Sequence, residues 1–189
     1  LKLKILSFYW RNTNYVEEKI EENLEKFFLS QKDSLQRLVF ECTFDCKRIL
    51  ELTINEFKSL QHLTLVDLDP CLGGDWEVTE NHCLTQIDVC VSWVLSDNIF
   101  NQLILSAPNL EVLYIFELTL DNMKFLAENS KKLKHLIYEE MEDECEEYYN
   151  NLILGNEGGE EALNSTINII WEQDFEEDYP ELHCKMQFT

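Results

Sequence analysis

Four histidines, seven cysteines and a large excess of carboxylates are the residues of this 189-residue chain able to ligate a metal or move a proton. Their spacing argues against both roles. His62, His82, His135 and His183 include no His-x-x-x-His pair, the spacing that sets two imidazoles on one helix face. Cys42 and Cys46 lie four apart, but no second pair of thiols or imidazoles follows at zinc-site spacing. His82 and Cys83 are adjacent, so their side chains diverge. A general acid needs a protected carboxyl, and the carboxylates here run together as a solvated surface does. Gly73-Gly74 and Gly158-Gly159 lack the strand, helix and lysine of a phosphate cradle, and no Gly-x-Ser-x-Gly elbow occurs. The expectation is a chain that is not an enzyme and uses no metal and no cofactor.

Charge narrows the partners. Fifteen basic and 37 acidic residues give a formal net charge of -22. Nucleic acid and anionic lipid both call for a basic face, so neither is expected as a partner. The acid is uneven, dense at residues 139–147 and 172–181 and more balanced in the first half. It reads as a solvating surface, with docking of a basic partner as the functional alternative. No apolar run approaches the roughly 20 residues of a membrane-spanning helix; the best, residues 89–95, ends at Ser96-Asp97-Asn98. An odd number of irregularly spaced cysteines suits free thiols in a reducing compartment, hence the cytoplasm or nucleus. The chain opens on an apolar segment, residues 1–8, with no cap before it, which predicts further sequence upstream.

The elements that must position any site announce themselves as a repeat. One unit, apolar-x-x-apolar-x-apolar, recurs as Leu3-x-x-Leu6-x-Phe8, Leu35-x-x-Leu38-x-Phe40 and Leu60-x-x-Leu63-x-Leu65. It returns as Leu84-x-x-Ile87-x-Val89, Leu110-x-x-Leu113-x-Ile115 and Leu133-x-x-Leu136-x-Tyr138. The starts at 3, 35, 60, 84, 110 and 133 give steps of 32, 25, 24, 26 and 23 residues. The last two apolar positions of each unit have the period of a strand with one buried face. So short a strand cannot bury that face alone, and stacking the units in parallel buries them together.

Between the strands the pattern predicts helices. Residues 15–30 place Val16, Ile20, Leu24, Phe27 and Phe28 on one face, and residues 46–57 do the same with Ile49, Leu50, Leu52 and Phe57. Ser96 and Asp97 are positioned to cap a helix to Ser106, stopped by Pro108, and Asp121 to begin another. Residues 142–154 form a further acidic helix closed by Gly155. At residues 69–83, Pro70, Gly73 and Gly74 predict an irregular loop in place of a helix. One domain over 1–189 is expected, with clear repeats over 1–156 and a looser repeat or cap over 157–189. There Ile167, Ile169 and Trp171 alternate, as do Leu182, Cys184, Met186 and Phe188, predicting two further strands or a capping hairpin.

The segment Leu126-Ala127-Glu128-Asn129-Ser130-Lys131-Lys132-Leu133-Lys134-His135-Leu136 resembles the cysteine-containing leucine-rich repeat, Leu-Ala-x-x-Cys-Pro-x-Leu-x-x-Leu. Ser130 and Lys131 stand where that pattern has Cys and Pro. Ala107-Pro108-Asn109-Leu110 keeps the Pro, and Cys83 before Leu84 is read as an occupant of the Cys position. The resemblance covers about residues 1–140, and its step of about 25 is that of F-box/leucine-rich-repeat proteins. It implies an α/β leucine-rich-repeat solenoid, a horseshoe arc with parallel strands on the concave face and helices on the convex face. It further implies the substrate-recognition part of an F-box (SCF-type) ubiquitin ligase, contacting a Skp1-type adaptor through an N-terminal F-box that this chain does not contain. A freestanding scaffold or inhibitor is the alternative.

In such an arc the residues alternating with the buried ones face the concave side. They are Ile5, Ser7 and Tyr9; Arg37, Val39 and Glu41; His62, Thr64 and Val66; Gln86, Asp88 and Cys90; Val112, Tyr114 and Phe116; His135, Ile137 and Glu139. Val112, Tyr114, Phe116 and Ile137 are expected to form an exposed apolar cluster bordered by His135 and Glu139, and so a binding patch for a protein substrate.

Overall fold

The computed structural model describes residues 2–10, 18–42, 47–67, 77–90, 96–145, 147–148 and 168–171. Strand β1 (Ile5–Trp10) leads to helix α1 (Glu18–Gln31), then β2 (Arg37–Cys42), α2 (Lys47–Glu56), β3 (His62–Val66) and β4 (Gln86–Cys90). Helix α3 (Asp97–Ser106), β5 (Val112–Leu118), α4 (Leu120–Asn129), β6 (His135–Met141) and β7 (Asn168–Trp171) follow. The seven strands form one sheet in sequence order, every neighbouring pair parallel. The fold class is α/β, as expected.

Register gives the sequence repeat its physical form. Leu6, Leu38, Leu63, Ile87, Leu113 and Leu136 are successive partners across the sheet, as are Phe8, Phe40, Leu65, Val89, Ile115 and Tyr138. Ile169 and Trp171 of β7 extend both rows. Because side chains alternate with period two, a slip of one residue would turn a whole strand inside out. The rows pack against Phe28 of α1, Ile49, Leu50 and Ile54 of α2, Phe100 and Leu103 of α3, and Met123 and Leu126 of α4. From β2 to β5 neither row is more than 3 % exposed. On β1, which has a described strand on one side only, Leu6 and Phe8 are partly buried. Each fully buried leucine stabilises the sheet by on the order of 1.5–3 kcal/mol.

A backbone seam runs beside these rows. Lys4 O accepts the N–H groups of both Gln36 and Arg37, at 2.8 and 3.1 Å. The same two-to-one pattern joins Gln61 and His62 to Gln36 O, Thr85 and Gln86 to Gln61 O, Glu111 and Val112 to Thr85 O, and Lys134 and His135 to Glu111 O.

The helices form where the periodicity places them, with three corrections. Phe27 is 40 % exposed while Phe28 is buried, because neighbouring helical residues lie about 100° apart and only one of the two can meet Phe8 and Phe40. Ser96 occupies the position before α3 but makes no side-chain capping bond. Helix α4 begins at Leu120, one residue before Asp121, and its cap is Thr119, whose hydroxyl accepts the Asn122 N–H at 3.2 Å. The start of the acidic helix is present, at 143–145 and 147–148, and β7 matches one of the two expected late strands. The rest of the acidic helix and the alternation from Leu182 to Phe188 lie outside the described residues.

Between β3 and β4, residues 77–85 contain no helix, as expected, while Pro70, Gly73, Gly74 and Trp76 lie outside the described residues. The segment runs along α2: the Glu77 N–H donates to Glu51 Oε1, the Thr79 N–H to Asn55 Oδ1, and Asn55 Nδ2 to Glu77 O. Asn81 is fully buried and its amide group donates to Ile54 O, in the last turn of α2, and to Phe57 O just beyond it, which also accepts the Leu60 N–H. Asn81 lies three residues before Leu84, where Ala107 and Ser130 lie before Leu110 and Leu133. That position is therefore held by Asn81. Cys83 is exposed and does not hold it. No helix among the described residues is long and apolar enough to cross a membrane.

Candidate functional site

The sheet has a second face, turned away from the core, and its side chains fall into columns set by the same register. Ile5, Arg37, His62, Gln86, Val112 and His135 form the first column; Ser7, Val39, Thr64, Asp88, Tyr114 and Ile137 form the second. Sequence alternation places these residues correctly. Their exposure differs from expectation.

Tyr114 and Ile137, expected to be exposed, are 3 % and 2 % exposed. They are register partners on β5 and β6, and the Tyr114 hydroxyl donates to Glu139 Oε1 on β6. That bond takes the tip of the Tyr114 ring to the strand that carries Ile137. Val112, Phe116 and His135 are half-buried, as is Glu139. The expected patch is therefore brought together, but its accessible part is Val112, Phe116 and His135 around a closed Tyr114–Ile137 floor. The largest apolar exposure on this face lies at the other end, on β1, where Ile5 is 63 % and Tyr9 50 % exposed.

Between these two regions sits a polar cluster that residue spacing alone did not single out. Asp88 is buried on β4. Its Oδ2 accepts the Thr64 hydroxyl at 3.0 Å and pairs with His62 Nε2, while its Oδ1 accepts Gln86 Nε2 at 3.0 Å. His62 and Thr64 are buried as well. Gln86 and Thr64 donate to this one carboxylate, and His62 Nε2 faces it. Thr64 Oγ1 lies 3.2 Å from that same nitrogen. To activate a hydroxyl, an imidazole must present a free ring nitrogen to it, with the carboxylate on the other nitrogen. Here the hydroxyl and the imidazole both serve the carboxylate. The arrangement pins β3 to β4. The signal that finds it is the register: a step of 24 residues sets His62 beside Gln86 and Thr64 beside Asp88.

Among the described residues no group of three or more His, Cys, Asp or Glu side chains is arranged to hold a metal ion. Cys145 is buried, with its thiol on Leu118 O at 3.4 Å. Burial first, and the Glu142 carboxylate second, push its pKa up to about 11. No protein-family model, no curated protein and no solved structure matches this chain.

Proposed function

We propose that the chain is a protein-binding leucine-rich-repeat module, a curved stack with its strands on the concave side and its helices on the convex side. The observation that carries the reading is the conjunction of six apolar-x-x-apolar-x-apolar units in sequence with their row-by-row register in one parallel sheet. Units of this kind expose a broad surface of alternating side chains suited to holding another protein. On that surface Val112, Phe116 and His135 are the contact residues, with the Tyr114–Ile137 floor beneath them. A hydroxyl and an imidazole that both serve one carboxylate favour binding over catalysis.

The step of about 25 residues and the Leu126–Leu136 pattern support the narrower role of substrate receptor in an F-box ubiquitin ligase, acting in the cytoplasm or nucleus. Asn81, Ala107 and Ser130 at the cysteine position favour the alternative, a freestanding scaffold or inhibitor. Co-purification from the full-length protein separates the two. A receptor brings down a Skp1-type adaptor, and the substitutions Val112→Asp and Phe116→Asp abolish retention of the substrate while the adaptor stays bound. A full-length protein that never associates with the adaptor leaves the freestanding role. Substrate retention unaffected by either substitution sinks the assignment of the face.

A further inference from the structure

The last residues of β5 and β6 depart from strand alternation. Ile115 and Tyr138 lie in a core row, and Leu118 and Met141, three residues on, turn into the core as well. Strict alternation would put Leu118 on the outer face, yet it is fully buried. The residues in between, Phe116-Glu117 on β5 and Glu139-Glu140 on β6, therefore all stay outside the core, and none of them is buried. The two strands make this change in step, so that Glu117 is the register partner of Glu140. Neighbouring strands lie about 4.8 Å apart, and like charges set opposite one another repel. Among the described residues neither side chain makes a hydrogen bond or an ion pair. Elsewhere exposed carboxylates meet a cation: Glu111 meets Lys134, Glu25 meets Arg48 and Glu56 meets Lys32. Just beyond the two strands the same sign continues, in a depression lined by Asp97, Thr119, Leu120, Asp121, Glu142 and Glu144. Among the described residues no carboxylates are grouped as a metal ion requires.

We propose that the partner held by this face is a peptide segment bearing an arginine, which enters between Glu117 and Glu140 with its plane against Phe116. The inference rests on the protein-binding reading of the face and names the chemistry of what is bound. Charge complementarity selects a cation, and the ring beside the carboxylates selects its kind. A guanidinium forks to two carboxylates and lays its flat face on an aromatic ring, whereas an ammonium is a point charge that does neither as well. The apolar part of the face sets the rest of the segment. Val112 and Phe116 stand on the same side of β5 four residues apart, about 13 Å along an extended chain. A bound segment therefore carries an apolar side chain that far from its arginine, seated on Val112. The repulsion between Glu117 and Glu140 is a cost in the free protein that the incoming arginine removes.

The test is a random peptide library displayed on phage and selected on the full chain, with the selected sequences then made as synthetic peptides and titrated by fluorescence anisotropy. The expected binders are enriched in an arginine spaced from an apolar residue. Replacing that arginine by citrulline, which keeps the shape and removes the charge, weakens binding by about tenfold or more, and lysine restores only part of it. Glu117→Gln and Glu140→Gln each weaken the same peptides by a similar factor, while Glu128→Gln, at an exposed carboxylate of α4, leaves them unchanged. Without peptide, Glu140→Gln raises the urea midpoint, because it relieves the repulsion. Peptides without arginine that are lost on Phe116→Asp but hold on both glutamine variants overturn the inference and leave the protein-binding face standing. Binders indifferent to Phe116→Asp and to both glutamine variants overturn the inference and the face together. A library that yields no binder overturns the inference, as does a urea midpoint that falls in Glu140→Gln.

Discussion

Asp88 illustrates how much one buried side chain decides on the outer face of the sheet. It gathers donors from three residues on two strands, so removing it strands several buried polar groups at once. Asp88→Ala should lower stability by about 2–3 kcal/mol, read from the urea midpoint. Asp88→Asn, which keeps an acceptor, should cost about half of that. Cys145 gives a residue-scale prediction in pH. Its folded pKa of about 11 lies above the ordinary 9.0, so the folded state holds the thiol proton more tightly than the unfolded chain does. The resulting contribution to stability is complete below pH 9 and is lost as the pH rises through 11. Denaturation of Cys145→Ala should show less decline over that window than the unsubstituted protein. At pH 8, iodoacetamide should modify the exposed Cys83 well before Cys145.

At the scale of elements, the two later helices separate sequence pattern from realised bonding. Both are preceded by a hydroxyl residue, Ser96 before α3 and Thr119 before α4, but only Thr119 makes the capping bond. Thr119→Ala should therefore cost about 1 kcal/mol, while Ser96→Ala should stay within about 0.5 kcal/mol, both measured as thermal midpoints at matched conditions. Helix position was legible because apolar spacing survives at the level of single residues. Cap geometry was not, because it depends on a rotamer and on the angle at which the chain enters. Asn81 was hidden for a similar reason. Its partners, Ile54 O and Phe57 O, lie in the preceding unit, and backbone carbonyls leave no mark in a sequence.

For the whole molecule, the strands and their register follow from the steps of 23 to 26 residues between the interior units. Which columns face away from the core was equally legible, since strand alternation settles it. How deeply those columns are buried was not, because burial depends on side-chain bonds across strands, such as that of the Tyr114 hydroxyl to Glu139 on β6. A pattern treats all units alike, whereas among the described strands β1 has one neighbour and β2 to β6 have two. That inequality is measurable. Leu113→Ala, in the interior of the row, should cost about 3–5 kcal/mol by denaturant titration, and Leu6→Ala, at its partly buried end, appreciably less.

The backbone seam, in which each unit's carbonyl takes two N–H groups from the unit that follows, has a mechanical meaning. Joints of one kind recur at Lys4, Gln36, Gln61, Thr85 and Glu111, and each lies between neighbours in the chain. A load drawn through the termini meets them in series instead of sharing them at once, as it would between strands sheared side by side. Such a body peels from an end, one unit at a time and at modest force, with each step releasing a similar length of chain. It is built to be pliable along its length and firm across it.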